Sequence, residues 1–157
     1  RPALVAPRWP LALALGAELI LLQRCILVWR DDTRLFMASI EEAPDQAFGY
    51  LGLSVVAYRQ ARYAESEKLL REALRLDPAR NDTYEQLALT LAAAGRCPES
   101  EALVERYGGG MYSLGLLRQQ VGRCHEVRGE IEEARLRYQR CAEIDPRCAA
   151  SLARLKK

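Results

Sequence analysis

The sequence predicts an all-α chain in which an apolar N-terminal helix precedes a stack of helix-turn-helix units. Three observations carry this expectation. Several residue series share one 34-residue spacing, each unit has apolar residues at helical period, and one long apolar run lies near the N-terminus. The chain divides accordingly into an apolar segment, 1–30, and a repeat region, 31–157. The repeat region reads as a half repeat 32–46, repeats 47–80, 81–114 and 115–148, and a terminal helix 149–157.

The apolar run extends from Trp9 to Trp29. As a helix it would cover about 30 Å, the thickness of a bilayer core. Trp9 and Trp29 at its ends, with Arg8 and Arg30 just outside, have the character of interfacial anchors. Glu18, Gln23 and Arg24 oppose insertion. Ten Leu, Ile and Val residues supply roughly −3 to −6 kcal/mol, and a single central charge costs about 2.5–3.5 kcal/mol. The sum lies near zero, so a span is expected beside other membrane helices, with Glu18 and Arg24 facing protein. The three polar residues share no helical face, which fits a half-buried soluble helix poorly. No small-residue cleavage motif follows the run, which argues against a signal peptide. Membrane association is the favoured expectation and a soluble cytoplasmic chain the alternative. The chain begins at Arg1 without Met, as a processed or partial product does.

In the repeat region, Pro44 and Pro78 are 34 residues apart and Pro146 lies 68 beyond Pro78. Each follows a charged, leucine-rich run, where proline is expected because it cannot continue a helix. Ala61, Gly95 and Gly129 keep the same spacing, and so do the small residues Ser54, Ala88 and Gly122. Leu53, Leu87 and Val121 form an apolar series, Ser66, Ser100 and Ala134 a small one, and Leu70, Val104 and Tyr138 a bulky one. Within the second unit, apolar residues at 84, 87, 88 and 91 make the stripe of an amphipathic helix. Gly95 supplies a left-handed turn residue, and a second helix resumes behind Pro98. A hairpin of this kind leaves one apolar face uncovered and must stack on a neighbour.

The pattern resembles the tetratricopeptide repeat family. The resemblance rests on Tyr50, Leu53, Ser54, Tyr63, Ser66, Leu70, Ala73 and Pro78 in the first unit, and on Tyr84, Leu87, Ala88, Gly95, Ser100 and Val104 in the second. In the third it rests on Val121, Gly122, Gly129, Ala134, Tyr138 and Pro146. Departures are Tyr107 at a usually small position, Gly108–Gly110 in place of Asp-Pro, and Arg118 in place of an aromatic residue. The resemblance implies a short right-handed superhelix whose groove binds protein partners. Mapped onto this chain, the implied groove residues are Phe48, Leu51, Val55, Tyr58 and Arg59, then Asp82, Glu85, Leu89, Ala92 and Ala93, then Leu116, Gln119, Arg123, Glu126 and Val127. The Lys/Asn set with which some relatives hold a C-terminal carboxylate is absent. The order of apolar span, "VWRDDTRLF" and repeats is also similar to membrane-embedded glycosyltransferase-like proteins that carry tetratricopeptide tails.

Cys124 adjoins His125, the single histidine of the chain. In the register His125 occupies a bulky core-facing position and Cys141 a small one, so packing explains both. The alternative is a metal or redox site, with hairpin packing bringing Cys124 near Cys141. Five cysteines at irregular spacing, without a CxxC, give no zinc set and at most one or two bridges. The glycines of "YGGGMYSLG" follow a helical segment and lack the strand and Lys-Ser/Thr of a phosphate loop, so a helix C-cap and turn are expected. Glu41–Glu42 and Glu132–Glu133 read as solvated surface charge. Twenty-three Lys and Arg against twenty-one Asp and Glu leave a net charge of +2, which gives nucleic acid no electrostatic footprint. The expectation is a non-catalytic protein-interaction module, an adaptor or assembly subunit without cofactor or metal. The alternative is an accessory C-terminal tail of a polytopic membrane glycosyltransferase-like enzyme.

Overall fold

Three turns with one geometry organise the molecule. The computed structural model describes residues 31–111 and 113–155. Ala61, Gly95 and Gly129 have φ of 58°, 78° and 77°. In each turn the amide one residue later donates back across it, from Arg62 to Ala57 at 2.9 Å, Arg96 to Leu91 at 2.9 Å and Glu130 to His125 at 3.0 Å. The turn residues donate to Tyr58, Ala92 and Glu126 at 2.9, 3.1 and 3.0 Å. This paired pattern satisfies carbonyls that the helix end would otherwise strand, and it requires a left-handed residue. Two of the three positions hold glycine, which adopts that conformation without a Cβ clash.

The turns join α2 (Ala47–Arg59) to α3 (Tyr63–Leu76), α4 (Asn81–Ala93) to α5 (Cys97–Tyr107), and α6 (Leu114–Val127) to α7 (Ile131–Ala142). A single helix precedes them, α1 (Asp32–Glu42), and another follows, α8 (Pro146–Arg154). The described residues therefore form an all-α arrangement of eight α-helices. Each packs against its sequence neighbours, and α4 also meets α6. Asp31 caps α1 by accepting from the Thr33 amide at 3.0 Å, and α1 docks by laying Phe36 over Gly52. A Cβ on Gly52 would lie 2.1 Å from that ring. The apolar segment with Trp9, Glu18, Arg24 and Trp29 lies outside the described residues. Among those described, no helix is long and apolar enough to cross a membrane.

Within the hairpins, small and large residues compensate. Ser54, Ala88 and Gly122 sit where the first helix approaches the second; Leu70, Val104 and Tyr138 are their buried counterparts. The smallest of the first set faces the largest of the second. A Cβ on Gly122 would lie 2.7 Å from the Tyr138 ring. Ser100 Oγ donates to the Ala88 carbonyl at 2.7 Å, and Ser66 shares a 3.1 Å hydrogen bond with Thr90 across the first and second hairpins. Apolar clusters fill the layers between hairpins, one around Leu70, Leu87 and Leu91, the other around Ala88, Val104, Met111, Leu117 and Val121.

Gly108 is the C-cap of α5, as the sequence predicts, with φ −57°, and Gly108–Gly110 continues it as one turn of 3₁₀ helix. Tyr107 can occupy a usually small position because its ring turns outward onto Tyr84, the two centroids 3.8 Å apart. The last helix begins at Pro146, three residues before the expected boundary at 149. Asp145 caps it, accepting from the Arg147 amide at 2.9 Å, and Pro146 fills the first turn, where no amide is needed.

Two substitutions test these features. Gly122→Leu overpacks the Tyr138 contact and should lower unfolding free energy by about 1–3 kcal/mol or more; an unchanged urea midpoint would refute the contact. Ala61→Gly should raise stability by about 0.5–1 kcal/mol, as relief of the left-handed strain exceeds the added freedom of the unfolded chain. A lower melting temperature for that variant counts against the turn geometry.

Candidate functional site

The first helices of the hairpins, with α8, form an open trough made of two adjoining hollows. The first, about 320 Å³, is lined by Tyr58 and Tyr63 from the first hairpin, Ala92, Ala93 and Gly95 from the second, and Gln120, Arg123, Cys124, Val127 and Arg128 from the third. The second, about 790 Å³, is lined by Gln119, Gln120, Arg123, Glu126 and Val127 of α6, Tyr138 of α7, and Arg147, Ala150, Ser151 and Arg154 of α8. Gln120, Arg123 and Val127 belong to both. Residues 120, 123 and 127 follow the three- and four-residue steps of one helix face, which is why α6 presents them together.

The charges of the trough are largely satisfied. Arg147 is held by Asp145 at 2.6 Å, Arg128 by Glu130 at 2.8 Å, and Arg154 faces Glu126 at 3.9 Å. Glu126 also accepts from the Tyr138 hydroxyl at 2.6 Å. Burial pushes the Tyr138 phenol well above its ordinary value, the bond to Glu126 adds to the rise, and Arg154, then Arg123, oppose it. The Tyr58 phenol is likewise raised by burial and by Tyr63, with Arg123 again opposing. Arg123 therefore acts on phenols at both ends of the trough. The Arg147 guanidinium holds the Asp145 carboxyl below the usual carboxylate range.

The groove residues expected from sequence are distributed as follows. Tyr58, Ala92, Ala93, Gln119, Arg123, Glu126 and Val127 line the trough. Leu51 packs onto the Leu70–Leu87–Leu91 cluster, and Leu89 onto the Ala88–Val104 cluster. Phe48 is exposed and makes an edge contact with Phe36, centroids 5.7 Å apart. Arg59 pairs with Asp32 at 3.5 Å in a separate hollow. Asp82 accepts from Arg80 at 2.8 Å. Val55, Glu85 and Leu116 are half-buried and line neither hollow. Sequence reasoning passed over Tyr63, Gln120, Arg147, Ser151 and Arg154. The last three share a face of α8 through their three- and four-residue spacing, a signal hidden by placing the helix start at 149.

Cys124 and His125 serve the interior. Cys124 is bridged to Cys97, and Cys141 to Cys148. The alternative of Cys124 meeting Cys141 is thus corrected: Cys97 opens α5 facing the next first helix, so Cys124 pairs across hairpins. His125 is 5 % exposed, and its Nδ1–H donates to Glu130 Oε2 at 2.6 Å. Glu130 also accepts from Arg128 at 2.8 Å, and His125, then Arg128, hold its carboxyl below the usual range. Among the described residues, no group of three or more His, Cys, Asp or Glu is placed to hold a metal ion.

Ion pairs at a repeated position link successive hairpins. Glu67 of α3 accepts from Arg96 at 2.5 Å, and Glu101 of α5, 34 residues later, accepts from Arg137 at 2.9 Å. The Cys97–Cys124 bridge reinforces the second junction covalently and forms part of the trough wall. Compared with known proteins, the chain matches no family model and no curated protein.

The Cys97–Cys124 bridge closes a span of 27 residues. Replacing both cysteines by serine should cost about 3–4 kcal/mol by the loop-entropy relation. Denaturation of the variant and the parent without reductant measures this. Equal midpoints would show that the bridge does not form in solution.

Proposed function

We propose that the chain is a non-catalytic protein-binding module, an adaptor or assembly subunit of tetratricopeptide type, attached to a membrane through residues 9–29. The stacking of hairpins at a 34-residue period supports reading them as a short right-handed superhelix with the trough as its groove. One observation carries the binding function: Val127, 79 % exposed, lines both hollows with Arg123. An apolar side chain left so open among Gln120, Arg123 and Arg128 has the character of a surface that a partner covers. The non-catalytic reading is supported by His125, engaged with Glu130 inside the third hairpin, and by Cys124, whose sulfur is tied to Cys97 and is no nucleophile.

Two disulfides support placing the hairpins on the oxidising side of the membrane, since such bridges persist outside the cytosol. The accessory-tail reading, in which the hairpins belong to a polytopic glycosyltransferase-like enzyme, draws on the same feature. In that case the trough would hold a segment of the enzyme itself or of its acceptor protein.

A photo-crosslinking side chain introduced at Val127 in the native host should give one discrete protein adduct, and the same group at exposed Lys68 of α3 should give none. Adding Arg123→Glu should abolish the Val127 adduct while leaving helical content intact. Equal labelling from both positions, or an adduct indifferent to Arg123, would refute the groove reading.

A further inference from the structure

Arg123 lines both hollows of the trough. On one side the Tyr58 and Tyr63 rings, 5.7 Å apart between centroids, stand with Ala92, Ala93 and exposed Val127 in a hollow that Gln120 and Arg128 also line. On the other the surface is polar, with the Gln119 amide donating to Ser151 Oγ at 3.2 Å. The other cations of the trough have carboxylates against them: Arg147 has Asp145, Arg154 has Glu126, and Arg128 has Glu130. Arg128 is further held by the Gly95 carbonyl at 3.0 Å. Arg123 forms no ion pair among the described residues, and it is exposed where the two hollows adjoin. The trough thus offers one unpaired cation beside two half-exposed tyrosine rings and exposed Val127.

We propose that the trough takes an extended acidic peptide segment of a partner protein, with an apolar side chain in the Tyr58–Val127 hollow and a neighbouring carboxylate side chain on Arg123. This inference rests on reading the trough as a protein-binding groove. A basic segment would bring further cations against Arg123, Arg147 and Arg154, which like-charge repulsion disfavours. A nucleic acid would find one free guanidinium where several phosphates need neutralising. The polar half, with side-chain amides and hydroxyls that both donate and accept, suits the alternating N–H and C=O groups of an extended backbone. The preference is one of pairing: a carboxylate gains a charge-assisted bond that a neutral amide makes more weakly.

The full chain in detergent micelles tests this by fluorescence anisotropy with three terminally blocked, labelled peptides. Each alternates leucine and serine around one central residue, which is glutamate, glutamine or lysine. The glutamate peptide should bind about fivefold more tightly than the glutamine one at low salt, consistent with a solvent-accessible ion pair. The lysine peptide should be weakest, and the differences should shrink at about 0.5 M salt. Arg123→Gln, at an exposed position, should make the glutamate and glutamine peptides equal. Tyr58→Ala should weaken all three alike. Equal affinities in the unsubstituted chain, or a preference that survives Arg123→Gln, would overturn the acidic assignment and leave the groove standing. Unaltered binding in Tyr58→Ala would overturn the placement of the apolar side chain. No binding by any of the three peptides would bring down the groove reading and this inference together.

Discussion

The rest of the structure depends on how each hairpin closes. A left-handed residue at 61, 95 and 129 lets the chain reverse within a few residues while both amides of the turn stay bonded to the preceding helix. Because the reversal is tight, the paired helices begin in contact, and residues such as Ser54, Ala88 and Gly122 must be small for their backbones to approach. The large residues that lie against them then inherit a fixed depth. Tyr138 can be a tyrosine only because Gly122 opposes it, and the same logic pairs Val104 with Ala88. Identical closure in every hairpin also keeps the first helices on one side of the stack, so Tyr58, Ala92 and Arg123 share a surface despite their separation in sequence.

What could be read from the residues follows from how few residue types each position tolerates. Left-handed turns demand glycine or a near substitute, and close helix contacts demand small side chains, so both show as spacing even in a single sequence. Ala61 has no intrinsic signal of this kind; it is legible only because two glycines stand at its register. Cysteine pairing was not legible. The register places Cys124 and Cys141 on the two helices of one hairpin, yet both bridges run between hairpin and neighbour, and side-chain direction at Cys97 decides that. Nor did the spacing distinguish a proline that follows a helix from one that opens it; Asp145, as a cap, settles Pro146 as an opening. The trough was read in outline. Groove-lining and core-facing positions are adjacent on the first helices, and Leu51 and Leu89 turn inward where Tyr58 and Arg123 do not.

The third hairpin concentrates the departures from regularity. It contains Gly122 in place of Ser or Ala, His125 in place of Ala57 and Leu91, and Arg118 in place of Tyr50 and Tyr84. The first two hairpins use those tyrosines to bond the preceding proline carbonyls, Pro44 at 3.2 Å and Pro78 at 3.1 Å. The third has neither that tyrosine nor a preceding Asp-Pro. Disulfides on both sides of it and the Arg137–Glu101 pair hold in place a unit whose own internal matches are weaker. The His125–Glu130–Arg128 cluster belongs with these supports, since through Arg128 it reaches the Gly95 carbonyl of the hairpin before.

The bridges also change how the array answers a pulling force. Under the proposed function, a pull between the N-terminal segment and the trough would load the chain along its length. Residues between Cys97 and Cys124, and between Cys141 and Cys148, cannot be drawn out while the sulfurs are joined. At about 3.3–3.6 Å per residue, roughly 100 Å of extension is withheld from the C-terminal half. Lengthening under load therefore falls on the residues before Cys97, α1 to α4, which neither bridge encloses. The boundary between the yielding and unyielding parts crosses the trough, with Tyr58 and Tyr63 on one side and Arg123 on the other. Tension would open the first hollow, whose walls come from both sides of that boundary, before the second.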